Sequence, residues 1–324
     1  MIYILARLKR IATNPDNLIY IAFISVFLHF VMTTAVILAL GIIILAGKQS
    51  RRQAFSFKGK KMFIIFILYT LAIALINKNL AGAAVSVGLF LVLVISYYVR
   101  ANITETVFNR GLDICCYAAI PLAVSSVIEE ALNSNISGYT CKLWFFNQNY
   151  FCALLAAIIV ICAHKATSHG GPVLRYYVCA VFAAVAMYLG QSMFAVVEAF
   201  IGICVLLILK RKHALLSMLV LATVICVFAA LAIPDIFPRL SEAGITSERR
   251  IRIWNEAMPH IVENPLFGKG FMSFFYYASK DPTMYQSGFH SHNFAIESML
   301  SLGAVGTAIL ISLIWSYYKK AMEC

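Results

Sequence analysis

The feature that most constrains this chain is a series of nine long apolar stretches, each separated from the next by a more polar connection. A helix needs about 20 apolar residues to cross the hydrocarbon core of a bilayer, and it satisfies its backbone hydrogen bonds internally. Only 12% of the 324 residues are charged, against about 25% in a soluble domain, so most of the surface must face lipid. The stretches are residues 18–46, 62–76, 80–99, 111–132, 150–163, 176–189, 194–209, 214–233 and 294–318.

These stretches predict an all-α fold, a polytopic transmembrane helical bundle of about 9–10 spans. One long extracytoplasmic loop, residues 234–289, is expected to contain short helices. We expect residues 1–324 to form a single integral membrane domain. The nine cysteines lie mostly inside apolar stretches and show neither a disulfide framework nor a CxxC metal spacing.

Basic residues in the connections predict the orientation. Residues 48–61 hold six lysines and arginines, whereas the connections 77–79 and 133–149 hold one lysine each. Cytoplasmic loops are enriched in Lys and Arg, so we place residues 48–61 in the cytoplasm. Strict alternation then puts residues 234–289 outside. It also puts the N-terminus outside, which its three basic residues disfavour. Two alternatives remain: residues 1–46 contain an extra, partly inserted helix, or an N-terminal helix is missing from this assignment.

The net charge of +12 follows from these cytoplasmic loops, so we expect contact with membrane lipids and no nucleic-acid partner. The pattern predicts a multi-pass protein of the cytoplasmic (inner) membrane. Its active site would lie on the extracytoplasmic side, because the longest polar segment is the outer loop.

That outer segment carries the side chains best suited to chemistry. Arg249, Arg250 and Arg252 stand within four residues, and guanidinium binds phosphate oxygens in pairs, which suits a lipid-linked phosphate or diphosphate. The alternative is a solvated face, or snorkelling toward lipid phosphates. His290 and His292 precede the last stretch, where a helix N-terminus favours neutral imidazole, the form that a general base requires. We expect no metal and no cofactor, because no third ligand stands at a convincing spacing.

Acidic residues form a second group. The alternation places Glu129, Glu130, Glu198 and Glu297 in the outer half of the membrane, with Asn149 at a similar level. Ionisable groups at that depth usually face a cavity. The hypothesis is an outward-opening polar pocket capped by the basic loop, and the alternative is that each acid snorkels at a helix end.

Four ordered pieces then resemble a known family. They are Arg250-x-x-x-Trp254, the Asn-Pro-Leu-Phe-Gly-Lys-Gly run at 264–270, His292-Asn293, and the Ser-Leu-Gly-Ala-Val-Gly run at 301–306. On their residues alone, 264–270 is a structural turn, and the glycines of 301–306 permit close helix packing. In this order they resemble the O-antigen ligase and O-antigen polymerase family of bacterial membrane glycosyltransferases. The signature region is residues 247–307, and Asn149 matches an asparagine that opens a middle helix in the family.

The resemblance implies that a glycan is moved from a polyprenyl diphosphate donor to a glycan or lipid acceptor, without a metal or cofactor. It implies that Arg250, helped by Arg249 or Arg252, binds the diphosphate and neutralises the departing charge. His292 matches the position of the base, with His290 or Glu297 assisting and Glu198 and Asn149 as possible substrate-lining residues.

Two departures from the family pattern accompany the resemblance. Relatives commonly carry an arginine where this chain has Met193, after Gly190-Gln191-Ser192, which puts a second diphosphate clamp in doubt. They also usually add further spans after the loop. Ligation and polymerisation are not separated by the sequence, and a non-catalytic transporter or flippase of lipid-linked glycan, or an accessory membrane protein, stays as the alternative.

Overall fold

A computed structural model describes residues 14–57, 59–136, 139–145, 147–168, 173–232, 247–281 and 290–322. Within these ranges the chain forms thirteen α-helices and no strand, so the all-α fold is confirmed. The helices are α1 Pro15–Ser25, α2 Phe30–Ala46, α3 Lys48–Ala54, α4 Lys60–Ile76, α5 Leu80–Asn102, α6 Glu105–Asn133, α7 Gln148–Thr167, α8 Val173–Gly190, α9 Met193–Leu209, α10 His213–Ala232, α11 Ser247–Glu263, α12 Ser273–Ala278 and α13 Phe294–Met322.

Five helices among the described residues are long and apolar enough to cross a membrane: α5, α6, α7, α8 and the part of α13 over Phe294–Ser316. The pair α2 and α3, bent by 105°, makes a sixth if it is taken as one broken span. The shorter apolar helices include α9 and the first part of α10. The predicted stretches and the helices agree within a few residues, because lipid selects for apolar length. The chain is a multi-pass membrane protein.

The first apolar stretch, residues 18–46, differs from the expected single helix. It forms α1 and α2, with a break between Ser25 and Phe30. The carbonyl of Ser25, at the end of α1, accepts from the N–H of Leu28 across 3.2 Å and from the hydroxyl of Thr33 across 2.7 Å. Hydropathy alone did not predict this break, since apolar residues flank it on both sides.

The chain divides into two compact units. The first unit comprises Met1–Val36 and Ile103–Gly244 and is built on α6, α7, α8 and α9. Its core includes the fully buried Phe151 and Leu155. At one end Lys165 pairs with Asp113 across 3.1 Å, and the ammonium of Lys210 donates to the carbonyl of His164 across 3.0 Å. The ends of α6, α7 and α9 that were predicted to lie on the cytoplasmic side are therefore in contact within this unit.

The second unit comprises Ile37–Asn102 and Ile245–Cys324. The helices α4, α5 and α13 pack around the buried side chains of Phe63, Phe66 and Leu302. A smaller core joins α11 and α12 to the first part of α13. The hydroxyl of Tyr276 donates to the carbonyl of Asn77 across 3.0 Å, so the short connection 77–79 and the described part of the long loop lie at the same end of this unit.

Candidate functional site

The turn over residues 264–270, which we call the signature turn, packs against a break in α13. At Gly303 the helix is interrupted by a non-helical backbone, with φ 62° and ψ −174°. The N–H groups of Lys269 and Gly270 donate to the carbonyls of Leu300 and Ser301 across 3.2 and 2.8 Å. In return the N–H groups after the break, on Ala304 and Val305, donate to the carbonyls of Pro265 and Leu266 across 2.8 and 3.0 Å. The two segments therefore supply the hydrogen bonds that each leaves unmade.

Glycine is required on both sides of this contact. A Cβ on Gly303 would overlap the backbone of Leu266 and Phe267, and a Cβ on Gly268 would lie 2.6 Å from the carbonyl carbon of Ser301. Both residues also have a positive φ, which side-chain-bearing residues rarely adopt. The two glycine-containing runs of the sequence are thus the two halves of one joint.

Two polar side chains hold the signature turn from the other side. The hydroxyl of Tyr69, on α4, lies 2.6 Å from the carbonyl of Leu302 and 3.1 Å from that of Phe267. Asn79 is buried, and its amide nitrogen donates to the carbonyls of Lys269 and Phe271 across 3.1 and 2.9 Å. Sequence reasoning missed both residues, because nothing in their local sequence indicates partners 190 to 233 positions away.

Residues 290–293, which we call the histidine turn, lead directly into α13. Asn293 caps the helix, since its side-chain oxygen accepts from the N–H groups of Ala295 and Ile296 across 2.9 and 3.2 Å. Ser291 is fully buried and its hydroxyl donates to the carbonyl of Asn293 across 3.0 Å. His292 therefore sits at the N-terminal end of a capped helix, as the sequence predicted.

The carboxylate of Glu297 ties the histidine turn to the first part of α13. One oxygen accepts from the N–H of Ser291 across 2.8 Å, and the other accepts from the hydroxyl of Ser301 across 3.0 Å. The carbonyl of Ser301 is in turn bonded to the signature turn. Both oxygens of Glu297 thus hold the histidine turn against the first part of α13.

A further bond joins the histidine turn to α11, which we call the arginine helix. The indole N–H of Trp254 donates to the carbonyl of Ser291 across 2.9 Å. Next to Trp254, Ile253 is buried in a small core that also holds Ala257 and Leu300. The arginine helix is therefore packed against α13 by apolar contacts and linked to the residue before His292 by a hydrogen bond.

Within this frame, His292 has a left-handed backbone, with φ 54°, and an exposed side chain. Its ring centroid lies 4.1 Å from that of His290. Partial desolvation lowers the pKa of His292 below its ordinary value, and the charges of His290 and Arg250 lower it further. The imidazole is therefore neutral at neutral pH, which is the state that a general base needs.

Arg250 and Arg252 project from different sides of the arginine helix. Arg250 lies in the first turn of the arginine helix, on the same side as Trp254 four residues later. Successive helical residues are about 100° apart, so Arg252 projects from the opposite side. It pairs there with Glu256 across 2.9 Å. The backbone of Arg249 belongs to the helix, but its side chain lies outside the described residues.

The remaining predicted site residues belong to the first unit. Glu198 is exposed on α9. The side-chain oxygen of Asn149 accepts from the hydroxyl of Ser192 across 3.0 Å. The asparagine that caps α7 is Asn147, whose side-chain oxygen accepts from the N–H of Tyr150 across 3.1 Å, so the expectation that Asn149 opens this helix is wrong. Two neighbouring asparagines could not be distinguished by pattern alone.

The described residues contain no group of three or more His, Cys, Asp or Glu that could hold a metal ion. The His-x-His pair of the histidine turn thus gains no third protein ligand from that part of the chain. The loop residues 282–289, directly before it, lie outside the described residues.

Comparison with known families is decisive for the class. A family model described as O-antigen ligase matches residues 178–311. Over this segment the chain is similar to the O-antigen ligase family. The matched segment contains both the arginine helix and the histidine turn, and it includes the signature runs quoted from the sequence, so the predicted family is confirmed. No curated protein matches the chain. The O-antigen ligase match and the membrane helices together make this a multi-pass membrane protein of a glycan-processing enzyme family.

Proposed function

We propose that this protein transfers a glycan from a polyprenyl diphosphate carrier to a glycan or lipid acceptor at the extracytoplasmic face of the cytoplasmic membrane. The family match supports a glycan-processing enzyme. The observation that carries the finer proposal is the hydrogen bond from Trp254 to Ser291, which joins the helix bearing Arg250 to the turn bearing His292.

The proposed reaction is a displacement at the anomeric carbon of the donor sugar. The acceptor hydroxyl oxygen forms the new glycosidic bond, and the bond between that carbon and the diphosphate oxygen breaks. His292 takes the hydroxyl proton, and the diphosphate leaves with the bonding electron pair. Arg250 neutralises the growing charge on the leaving oxygen, which is the kind of fixed electrostatic stabilisation that contributes most in a site shielded from water.

The protonation states suit these roles. An imidazolium cannot accept a proton, so a lowered pKa extends the pH range in which His292 acts as a base. Guanidinium stays charged throughout this range. In this proposal the positive charge of Arg250 replaces a divalent metal at the diphosphate. Arg252 is already paired with Glu256 on the far side of the helix, so we assign it a lesser role.

The direct test is transfer by the purified protein in lipid vesicles, with a radiolabelled polyprenyl diphosphate glycan as donor. We expect His292→Ala and Arg250→Ala each to lower the transfer rate by about 100-fold or more. The matched controls His213→Ala and Arg110→Ala alter exposed residues of the first unit and should leave the rate within about twofold of wild type. Bilayer crossing of labelled lipid without a new glycosidic bond would favour transport and contradict the proposal.

Sidedness needs its own test, since donor and site must share one face. Ser279 is exposed at the end of α12, in the described part of the long loop. A Ser279→Cys variant should react with a membrane-impermeant maleimide in intact spheroplasts. Arg52→Cys, in the connection predicted to be cytoplasmic, should react only after permeabilisation. The reverse labelling pattern would overturn the extracytoplasmic site.

A further inference from the structure

We infer that Trp254 is a positioning residue for the transfer proposed above, because its indole holds the helix that carries Arg250 against the turn that carries His292. The inference rests on the proposed function for its catalytic meaning. The geometric link itself is independent of which glycan is transferred.

Only Trp254 and Ser291 separate Arg250 from His292 along this path. Arg250 and Trp254 are four residues apart on the arginine helix and so lie one above the other on the same side of it. The indole N–H of Trp254 reaches the carbonyl of Ser291, and Ser291 is bonded covalently to His292. A single hydrogen bond of 2.9 Å thus connects the segment with the cation to the segment with the base.

The acceptor end of this bond is fixed. Ser291 is fully buried, its N–H donates to Glu297, and its hydroxyl donates to the carbonyl of Asn293. The carbonyl that receives the indole N–H therefore has little freedom to move. An indole has only two side-chain torsions, so the hydrogen bond to the Ser291 carbonyl restricts the movement of the backbone at Trp254.

The donor end lies in the middle of the arginine helix, one turn beyond Arg250. Arg250 belongs to the first turn of the arginine helix, where N–H groups have no partners within the helix and the backbone frays most easily. Trp254 lies one turn further on, beside the buried Ile253 and Ala257. The hydrogen bond of Trp254 therefore fixes the helix one turn after Arg250. It adds to the apolar packing of Ile253 and Ala257 and limits the movement of the first helical turn, which carries Arg250.

The expected consequence is specific to the chemical step. Trp254→Phe keeps an aromatic ring in the small core and removes the donor. The net value of one such hydrogen bond corresponds to about a tenfold change, so we expect kcat to fall about tenfold with the KM for donor within about twofold. The charged groups that lower the pKa of His292 are His290 and Arg250. The carboxylate of Glu297 instead accepts from the N–H of Ser291. If Arg250 is held less closely, the pKa of His292 should rise toward its ordinary value.

The test uses the full chain in detergent and in vesicles. The pKa of His292 is measured from the pH dependence of deuterium exchange at the imidazole C2 position by mass spectrometry, in wild type, Trp254→Phe and Trp144→Phe. Trp144 is the matched control, since its indole N–H donates to the carbonyl of Phe27 across 2.9 Å within the first unit. We expect a raised pKa and lowered kcat only in Trp254→Phe.

An unchanged His292 pKa and an unchanged kcat in Trp254→Phe would overturn the inference. So would a loss of activity that matches the loss of folded protein while the pKa stays at the wild-type value. Because the exchange measurement needs no substrate, it still tests the link if wild-type protein transfers no glycan, in which case only the proposed function fails.

Discussion

Gly303 interrupts α13 directly against the backbone of Phe267, and the signature turn supplies the hydrogen bonds that the interrupted helix lacks. Two sequence runs more than thirty residues apart are therefore one structural joint. The joint lies between the histidine turn and the rest of the last span, so it fixes the part of α13 that positions His292.

This joint predicts that Gly303 tolerates no side chain. We expect Gly303→Ala to lose about 1–3 kcal/mol from its backbone conformation alone, and more from the overlap with Leu266 and Phe267. Thermal unfolding in detergent measures the loss. Gly88→Ala is the control, because a Cβ there meets no atom within 4 Å in the middle of α5. Equal unfolding temperatures for the two variants would contradict the role of the joint.

The hydroxyl of Tyr69 should contribute measurably to the same joint. It lies within hydrogen-bonding distance of the carbonyls of Leu302 and Phe267, so Tyr69→Phe should cost about 0.5–1.5 kcal/mol. The exposed Tyr177 provides the matched Tyr→Phe control. Chemical denaturation monitored by tryptophan fluorescence compares the two, and a Tyr69→Phe protein as stable as the control would show that these contacts contribute little.

The influence of Arg250 on His292 predicts a pKa change of known sign. A nearby positive charge disfavours the imidazolium, so Arg250→Gln should raise the pKa of His292, and the protonated form should persist to higher pH. Arg252→Gln removes the same charge from the opposite side of the helix, where Arg252 pairs with Glu256, and should leave the pKa unchanged. Imidazole C2 exchange measures both variants. If the pKa of His292 rises equally in both variants, the effect depends on the net charge of the helix and not on the position of Arg250.

The two hydrogen bonds of Glu297 predict a contrast between two substitutions. In Glu297→Gln the amide oxygen still accepts from the N–H of Ser291, and the amide nitrogen can donate to the hydroxyl of Ser301, since a hydroxyl both donates and accepts. This variant should keep transfer within about threefold of wild type. Glu297→Ala loses both bonds and should lose most of its activity. Complete inactivity of the glutamine variant would instead assign Glu297 the role of base.

Much of the fold could be predicted from the sequence because lipid imposes a length and a composition on each helix. The limits of α5 and α8 follow directly from apolar runs at 80–99 and 176–189. The break between Ser25 and Phe30 could not be predicted, because it depends on a hydroxyl of Thr33 eight residues beyond Ser25 rather than on hydropathy. The interruption at Gly303 was missed for a similar reason, since its hydrogen bonds come from a distant turn.

The candidate site was predictable where chemistry is local and not where it depends on long-range contacts. The helix N-terminus predicted a neutral imidazole at His292; the pKa of His292 is lowered, but by partial desolvation and by the charges of His290 and Arg250. Arg252 was expected to assist Arg250, but helical geometry puts it on the opposite side of the helix, where it pairs with Glu256. The role of Trp254 could not be predicted, because its partner Ser291 lies 37 residues later.

The central claim is that Arg250 and His292 act in one chemical step on a lipid diphosphate, and a double-mutant cycle of transfer rates tests it most directly. The rates of wild type, Arg250→Ala, His292→Ala and the double variant are measured with radiolabelled polyprenyl diphosphate glycan in one vesicle preparation. Residues that act as a unit are strongly non-additive. The account predicts a loss of about 100-fold or more in each single variant, and a double variant about as slow as the slower single one. Single variants that transfer glycan at the wild-type rate would contradict it.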